Sequence, residues 1–196
     1  MTSFNRLARR CHSHRNLLLV WSKWWLLGCI LAMTSPAHAE AASEAAIKTA
    51  YLYNFAKFTE WPSAAFINST APLNLCIIGR SELSGQVSSL EGKSAQGHDI
   101  SIKRINSLNE GNECHILLVA NIERRQLGDL THSLSKTPIL TVSDLEGFAS
   151  MGGMLGLITV DERVQFEANP DAARKAGLKI SSQLLSLARI AKETSR

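Results

Sequence analysis

Beyond residue 40 the side chains best equipped for chemistry are three histidines, two cysteines and a scatter of carboxylates. His98, His115 and His132 could ligate a metal or carry a proton, but none forms the H-x-x-x-H or H-E-x-x-H pair through which one local element supplies two ligands. Glu60, Asp144, Glu146 and Asp161 could provide paired acids for proton transfer, yet their spacing is that of solvated loop ends. Gly92-Lys93-Ser94 ends like a phosphate-binding loop whose leading glycine is missing upstream. Gly79-Arg80-Ser81 lacks the G-x-G of a dinucleotide turn. As Gly79-Arg80-Ser81-Glu82-Leu83 it also lacks the second glycine of a nucleophile elbow, so Ser81 is expected to cap a helix. On these residues alone an enzyme is possible but unsupported, and no catalytic residue, metal or cofactor is assigned.

The elements that must position these residues begin after a leader. Arg6, Arg9, Arg10, Arg15 and Lys23 precede an apolar stretch from Trp24 to Met33, and Ala37-His38-Ala39 puts small residues two apart before Glu40. That order is the plan of a secretory signal peptide over residues 1–39, cleaved between Ala39 and Glu40. The stretch is too short for an anchor, and Leu26-Leu27-Gly28-Cys29 is a poor lipobox because Lys23 interrupts the apolar residues before it. The whole chain carries 21 Lys and Arg against 17 Asp and Glu; cleavage removes five of the basic residues and leaves 16 against 17. No basic block survives in residues 40–196, so nucleic-acid binding is not expected.

Within 40–196 helix and strand signals alternate. Ser43 can cap a helix to about Thr59, with Ile47, Tyr51, Phe55 and Phe58 on one face and Trp61-Pro62 ending it. Leu73 to Ile78 reads as a strand, Glu82 to Leu90 as a helix, Ile100 to Ile105 and Cys114 to Ala120 as strands, Glu123 to Leu134 as a helix, and Pro138 to Val142 as a strand. Met154 to Val160 and Val164 to Ala168 are linked too tightly for anything but an antiparallel hairpin. Asn169-Pro170 opens a last, long helix whose stripe would be Leu178, Leu184, Leu185, Leu187 and Ile190. The expected fold is a single three-layer α/β domain with a mostly parallel sheet, a C-terminal antiparallel hairpin and a long C-terminal helix.

Cys76 and Cys114 remain once the leader is removed. Each lies in an apolar run, so the residues alone allow either a disulfide, favoured in an oxidising compartment, or two buried thiols. The first helix and its exit carry Tyr51, Tyr53, Phe55, Phe58 and Trp61, more aromatic side chains than one buried stripe accommodates. Either all five are core or helix-end packing, since the orientation of the helix is not set by the sequence, or some face a partner, with Tyr53, Phe58 and Trp61 the candidates.

Ordered blocks through the domain resemble one family. They are Tyr51-Leu52-Tyr53-Asn54-Phe55-Ala56-Lys57-Phe58-Thr59-Glu60-Trp61-Pro62, Leu73-Asn74-Leu75-Cys76-Ile77-Ile78-Gly79 and Cys114-His115-Ile116-Leu117, followed by Leu140 to Asp144, Gly152 to Met154, Val164 to Asn169 and Gly177 to Leu185. Together they resemble the YfiR family of small periplasmic regulators. The resemblance implies a non-enzymatic repressor that acts on the periplasmic sensory domain of a YfiN-like diguanylate cyclase, lowers cyclic di-GMP and biofilm formation, and is sequestered by a YfiB-like outer-membrane protein. Cys76 and Cys114 match cysteines that are bridged in the family, while a second family pair has no counterpart, since residues 145–165 carry no cysteine. A homodimer is a further expectation. The alternative is a periplasmic small-molecule binder with its pocket near Gly79-Arg80-Ser81 and Asp144, at the carboxyl ends of the strands. The processing expectation is checked by intact mass: protein from the periplasm starts at Glu40 without lipid, and a chain starting at a diacylated Cys29 contradicts it.

Overall fold

The computed structural model of the protein describes residues 43–111 and 113–192. The expected leader, with its Ala39–Glu40 junction, lies outside the described residues. Helix α1 (Glu44–Lys57) begins where Ser43 accepts a hydrogen bond from the Ala46 N–H at 3.2 Å. Its buried face is Ala45, Thr49, Leu52, Phe55 and Ala56 rather than the expected stripe. Ile47 is exposed and Tyr51 and Phe58 are half-buried. The two stripes share Phe55, and the one with the small residues Ala45, Thr49 and Ala56 lets the helix approach closely. Tyr51 sits at the rim, where its hydroxyl donates to the Val164 carbonyl.

Two-residue strand β1 (Thr59–Glu60) and a 3-10 turn (Ser63–Ala65) lead to strand β2 (Leu73–Ile78). Ser81 caps helix α2 (Glu82–Gln86) through a reciprocal capping box with Ser84, and a 3-10 turn, Val87–Leu90, extends it. Strands β3 (Ser94–Ala95), β4 (His98–Ile105) and β5 (Ile116–Val119) are followed by α3 (Arg124–Ser133), β6 (Leu140–Ser143), β7 (Leu155–Val160) and β8 (Arg163–Ala168). The chain closes with α4 (Pro170–Lys175), β9 (Lys179–Ile180), α5 (Ser182–Leu185) and β10 (Arg189–Ile190).

The long C-terminal helix is corrected by these last four elements. Asn169 does cap α4 and Pro170 does start it, but the helix stops after Lys175. Gly177 takes φ +79°, its N–H donates to the Arg174 carbonyl, and the Leu178 N–H reaches back to Ala173. That paired bonding is a Schellman ending, which satisfies the last carbonyls and turns the chain out of the helix. The leucines expected as one stripe are divided among short elements: Leu178 and Leu184 are buried, whereas Leu187 and Ile190 are exposed.

The mixed α/β architecture holds otherwise. Eight strands form one sheet in the order β10-β8-β7-β6-β5-β2-β4-β3, parallel at every pairing except β3–β4 and β7–β8, and β1 and β9 form a small antiparallel pair. The expected hairpin is β7–β8, turned by Asp161 and Glu162, both at positive φ as a tight two-residue hairpin turn requires. Strand residues are sorted between two cores with a period of two. Leu75, Ile77, Ile116 and Leu118 enter the larger core with Leu52, Phe55, Leu83 and Val87, while Cys76, Leu117 and Val119 enter the smaller one with Leu127, Leu130 and Phe148.

A disulfide joins Cys76 of β2 to Cys114, two residues before β5, with Cα atoms 5.7 Å apart. Both cysteines are buried in the smaller core. The bridge closes a separation of 38 residues, for which the chain-entropy estimate is about 4 kcal/mol. Cys76→Ser or Cys114→Ser should lower unfolding free energy by roughly 2–5 kcal/mol in urea titrations. Unchanged midpoints, with both thiols of the natural protein labelling freely, would contradict the bridge.

Candidate interaction surface

The three aromatic residues singled out in the sequence are neither free on the surface nor fully enclosed. Tyr53, Phe58 and Trp61 are all half-buried and pack against the larger core. The Tyr53 hydroxyl donates to the Ser94 carbonyl of β3 at 2.9 Å, and the ammonium groups of Lys57 and Lys93 lie 5.5 and 5.4 Å from its ring centre. Phe58 ends α1, and its carbonyl accepts from the Ser181 N–H beside β9. Trp61 donates its Nε1–H to the His115 carbonyl at 3.0 Å. Among the described residues the three rings make no stacking contact with one another. Phe55 from the same group is wholly buried, with its ring 5.0 Å from that of Phe166.

The sequence reading missed Phe66. Its ring stacks on His98 at 3.9 Å between centres and on His115 at 4.2 Å. Two rings cannot occupy one face at those distances, so Phe66 is the middle of a three-ring sandwich, with Trp61 edge-on to His115 at 6.5 Å. His115 is buried and uses both ring nitrogens: Nδ1 accepts from the Asn74 N–H and Nε2 bonds the Ala65 carbonyl, each at 3.0 Å. A backbone N–H can only donate and a carbonyl can only accept, so the imidazole is neutral with its proton on Nε2. Burial pushes its pKa below the ordinary value of 6.5, with the fields of His98 and Lys103 adding to that and the Ala65 bond opposing it. An imidazole with both nitrogens engaged has no lone pair to offer a metal, and no group of three metal-ligating side chains occurs among the described residues.

The carboxyl ends of the strands divide the alternative site in two. Gly79 sits at φ +83°, and a Cβ there would lie 1.7 Å from the Ala120 carbonyl oxygen. The backbone after β2 therefore packs directly against Ala120, where only glycine fits. Asp144 instead lines a cleft of about 450 Å³ with Lys48, Glu146, Glu167, Arg189 and the second half of β7. Lys48 lies 2.7 Å from Glu44 and 3.9 Å from Asp144. The Glu44 carboxyl is held below its ordinary pKa by hydrogen bonds from Lys48 and Thr159. His132 borders a separate cleft of about 350 Å³ between the end of α3 and α4.

A family model described as YfiR/HmsC-like matches residues 45–189, three quarters of the chain. The chain belongs to the YfiR/HmsC-like family. That family is periplasmic, regulatory rather than catalytic, and its members work with partner proteins in cyclic di-GMP signalling. Among the described residues of this YfiR-like protein no helix is long and apolar enough to cross a membrane. The match begins inside α1 and ends at β10, so it takes in Tyr53, Phe58, Trp61, the three-ring sandwich and the disulfide.

Trp61 is placed by one hydrogen bond in addition to its packing. Trp61→Phe keeps a ring and loses the donor, which should cost about 1 kcal/mol in urea unfolding. An unchanged midpoint would show that the Leu140 N–H, which donates to the same His115 carbonyl at 2.8 Å, satisfies it alone.

Proposed function

We propose that this protein is a periplasmic repressor, residues 40–196 after removal of 1–39, that binds the periplasmic sensory domain of a YfiN-like diguanylate cyclase and is itself sequestered by a YfiB-like outer-membrane protein. The observation that carries the reading is the family match across 45–189. Two features support it. Tyr53 and Trp61 combine partial exposure with an orientation fixed by a hydrogen bond, which is what a binding anchor needs if little side-chain entropy is to be lost on association, and Phe58 is half-buried against the same core. At the Gly79 turn, where an α/β sheet of this kind often holds a nucleotide, the backbone packs against the Ala120 carbonyl. To repress, the protein must bind the inactive state of the cyclase more tightly than the active one, since a ligand indifferent to the two states shifts nothing.

The cleft beside Asp144 favours a second reading, a small-molecule-binding protein, with Arg189 to meet an anionic group and the Glu146 and Glu167 carboxylates to meet an amine, while Lys48 is engaged by Glu44 and Asp144. One set of measurements separates the two. Deletion of the gene should raise cyclic di-GMP and surface attachment, and the purified protein should bind the cyclase's periplasmic domain. Tyr53→Glu and Trp61→Glu should weaken that binding at least tenfold while circular dichroism retains the native spectrum. Unchanged cyclic di-GMP on deletion, together with saturable binding of a small ligand, would replace the first reading by the second.

A further inference from the structure

The segment 62–72 leaves β1, crosses the amino ends of the central strands and returns as β2. Its hydrogen bonds are otherwise internal: Ala65 to Pro62, Phe66 to Ser63, Ala71 to Asn68, and Thr70 to the Asn68 side chain. Among the described residues, the hydrogen bonds that tie it to the rest of the domain both come from imidazoles. His98 Nδ1 donates to the Ala71 carbonyl at 2.6 Å, and His115 Nε2 donates to the Ala65 carbonyl at 3.0 Å. Between those rings the segment inserts Phe66. Ile67, next to it, is 85% exposed.

The two histidines are bonded differently. His98 uses its Nδ1 as a donor to the Ala71 carbonyl. His115 uses Nδ1 as an acceptor for the Asn74 N–H, so a second proton leaves the Nε2–H bond to Ala65 in place but puts two N–H groups face to face at Nδ1 and strands a buried backbone donor. The ring relieves that clash only by leaving its seat against Asn74, and the arm that is stacked on it and bonded to it loses its fixed anchor. We propose that segment 62–72 is an acid-released arm, clasped to the amino ends of β2 and β5 while His115 is neutral and freed when His115 takes up a proton. Release lifts Phe66 out of the sandwich and bares the strand ends beside Trp61.

The groups around His115 leave the proton uncompensated. The arm contributes no titratable side chain, and β2 contributes only the bridged Cys76. From β4 come His98, across Phe66, and Lys103. Glu113 is bonded to that Lys103 at 2.9 Å, and Glu60 precedes Trp61 on β1. Because the clasped state disfavours the proton, the clasp is fully formed above the free imidazole's value near 6.5 and weakens as pH falls below it.

The test is amide hydrogen exchange read by mass spectrometry, on protein purified from the periplasm at about pH 7.5 and about pH 5, corrected for intrinsic rates. Protection over residues 62–74 should fall about tenfold or more at the lower pH while β5 and β6 stay protected. His98→Gln should keep that step. His115→Gln, whose amide can accept from Asn74 and donate to Ala65 but cannot be protonated there, should abolish it. Unchanged protection in the natural protein, the same step in His115→Gln, or loss spread evenly over the domain would overturn the proposal. If His115→Gln does not fold, the imidazole resonances of the natural protein decide. Loss of protection in step with His115 titration upholds the arm, and loss without that titration overturns it.

Discussion

A strand in the middle of a sheet with helices on both sides must serve two cores at once, and β2 does so with a period of two. Leu75 and Ile77 fill the core under α1 and α2, while Cys76 points to the core under α3. β4 and β5 flank it in parallel, so each neighbour must match that alternation. A slip of one residue would send Leu75 and Ile77 to the wrong face, and the register is therefore fixed by both cores together. Two local devices reinforce it. The disulfide joins β2 covalently to the segment entering β5, and beyond the other end of β2 the Gly79 backbone packs against the Ala120 carbonyl too closely for any side chain.

Elements governed by local rules are legible in the amino-acid sequence. Ser43, Ser81 and Asn169-Pro170 mark helix starts because the hydroxyl or amide that satisfies a free N–H is encoded within three residues of it. The β7–β8 hairpin is legible for the same reason, since so short a link between apolar runs permits only one connection. The end of α4 is harder to read. Leucines at helical spacing continue through residues 178–190, and that periodicity outweighs a single glycine. The Gly177 stop acts through backbone bonds from residues 177 and 178, and the leucines that follow are used by separate short elements. The buried face of α1 differs from the expected one because the small side chains of alanine and threonine decide how closely a helix can approach, while the larger aromatic residues dominate the sequence pattern.

The sandwich of His98, Phe66 and His115 has no local signal. Its members come from β4, from the connection before β2 and from the entry to β5. Ligand spacing among histidines bears on metal binding, whereas these rings use their nitrogens to hold backbone carbonyls. What a single sequence does offer is negative: residues 62–72 include no charged side chain and few large apolar ones, so the segment has little of its own with which to dock. A connection of that composition has to be held by groups from elsewhere, and here those groups are two imidazoles and the core surface under Phe66.

The two ends of the sheet consequently differ in kind. In open α/β sheets the carboxyl ends of the strands ordinarily offer the ligand crevice. Here Gly79 packs against the Ala120 carbonyl in the central part of that end, and a cleft lies beside β7, among charges that already pair with one another at Lys48. The amino end holds Trp61, Phe66 and the two histidines, arranged around a segment with few bonds of its own to the domain. Chemistry on a small substrate calls for a recessed, rigid crevice with unpaired polar groups. A surface of half-buried aromatic rings beside that segment fits the macromolecular partner of the proposed function better than it fits a small substrate. This division of the sheet agrees with the regulatory character of the family, and it sets Trp61, Phe66 and the two histidines at the end opposite to the one where an α/β sheet ordinarily holds a cofactor.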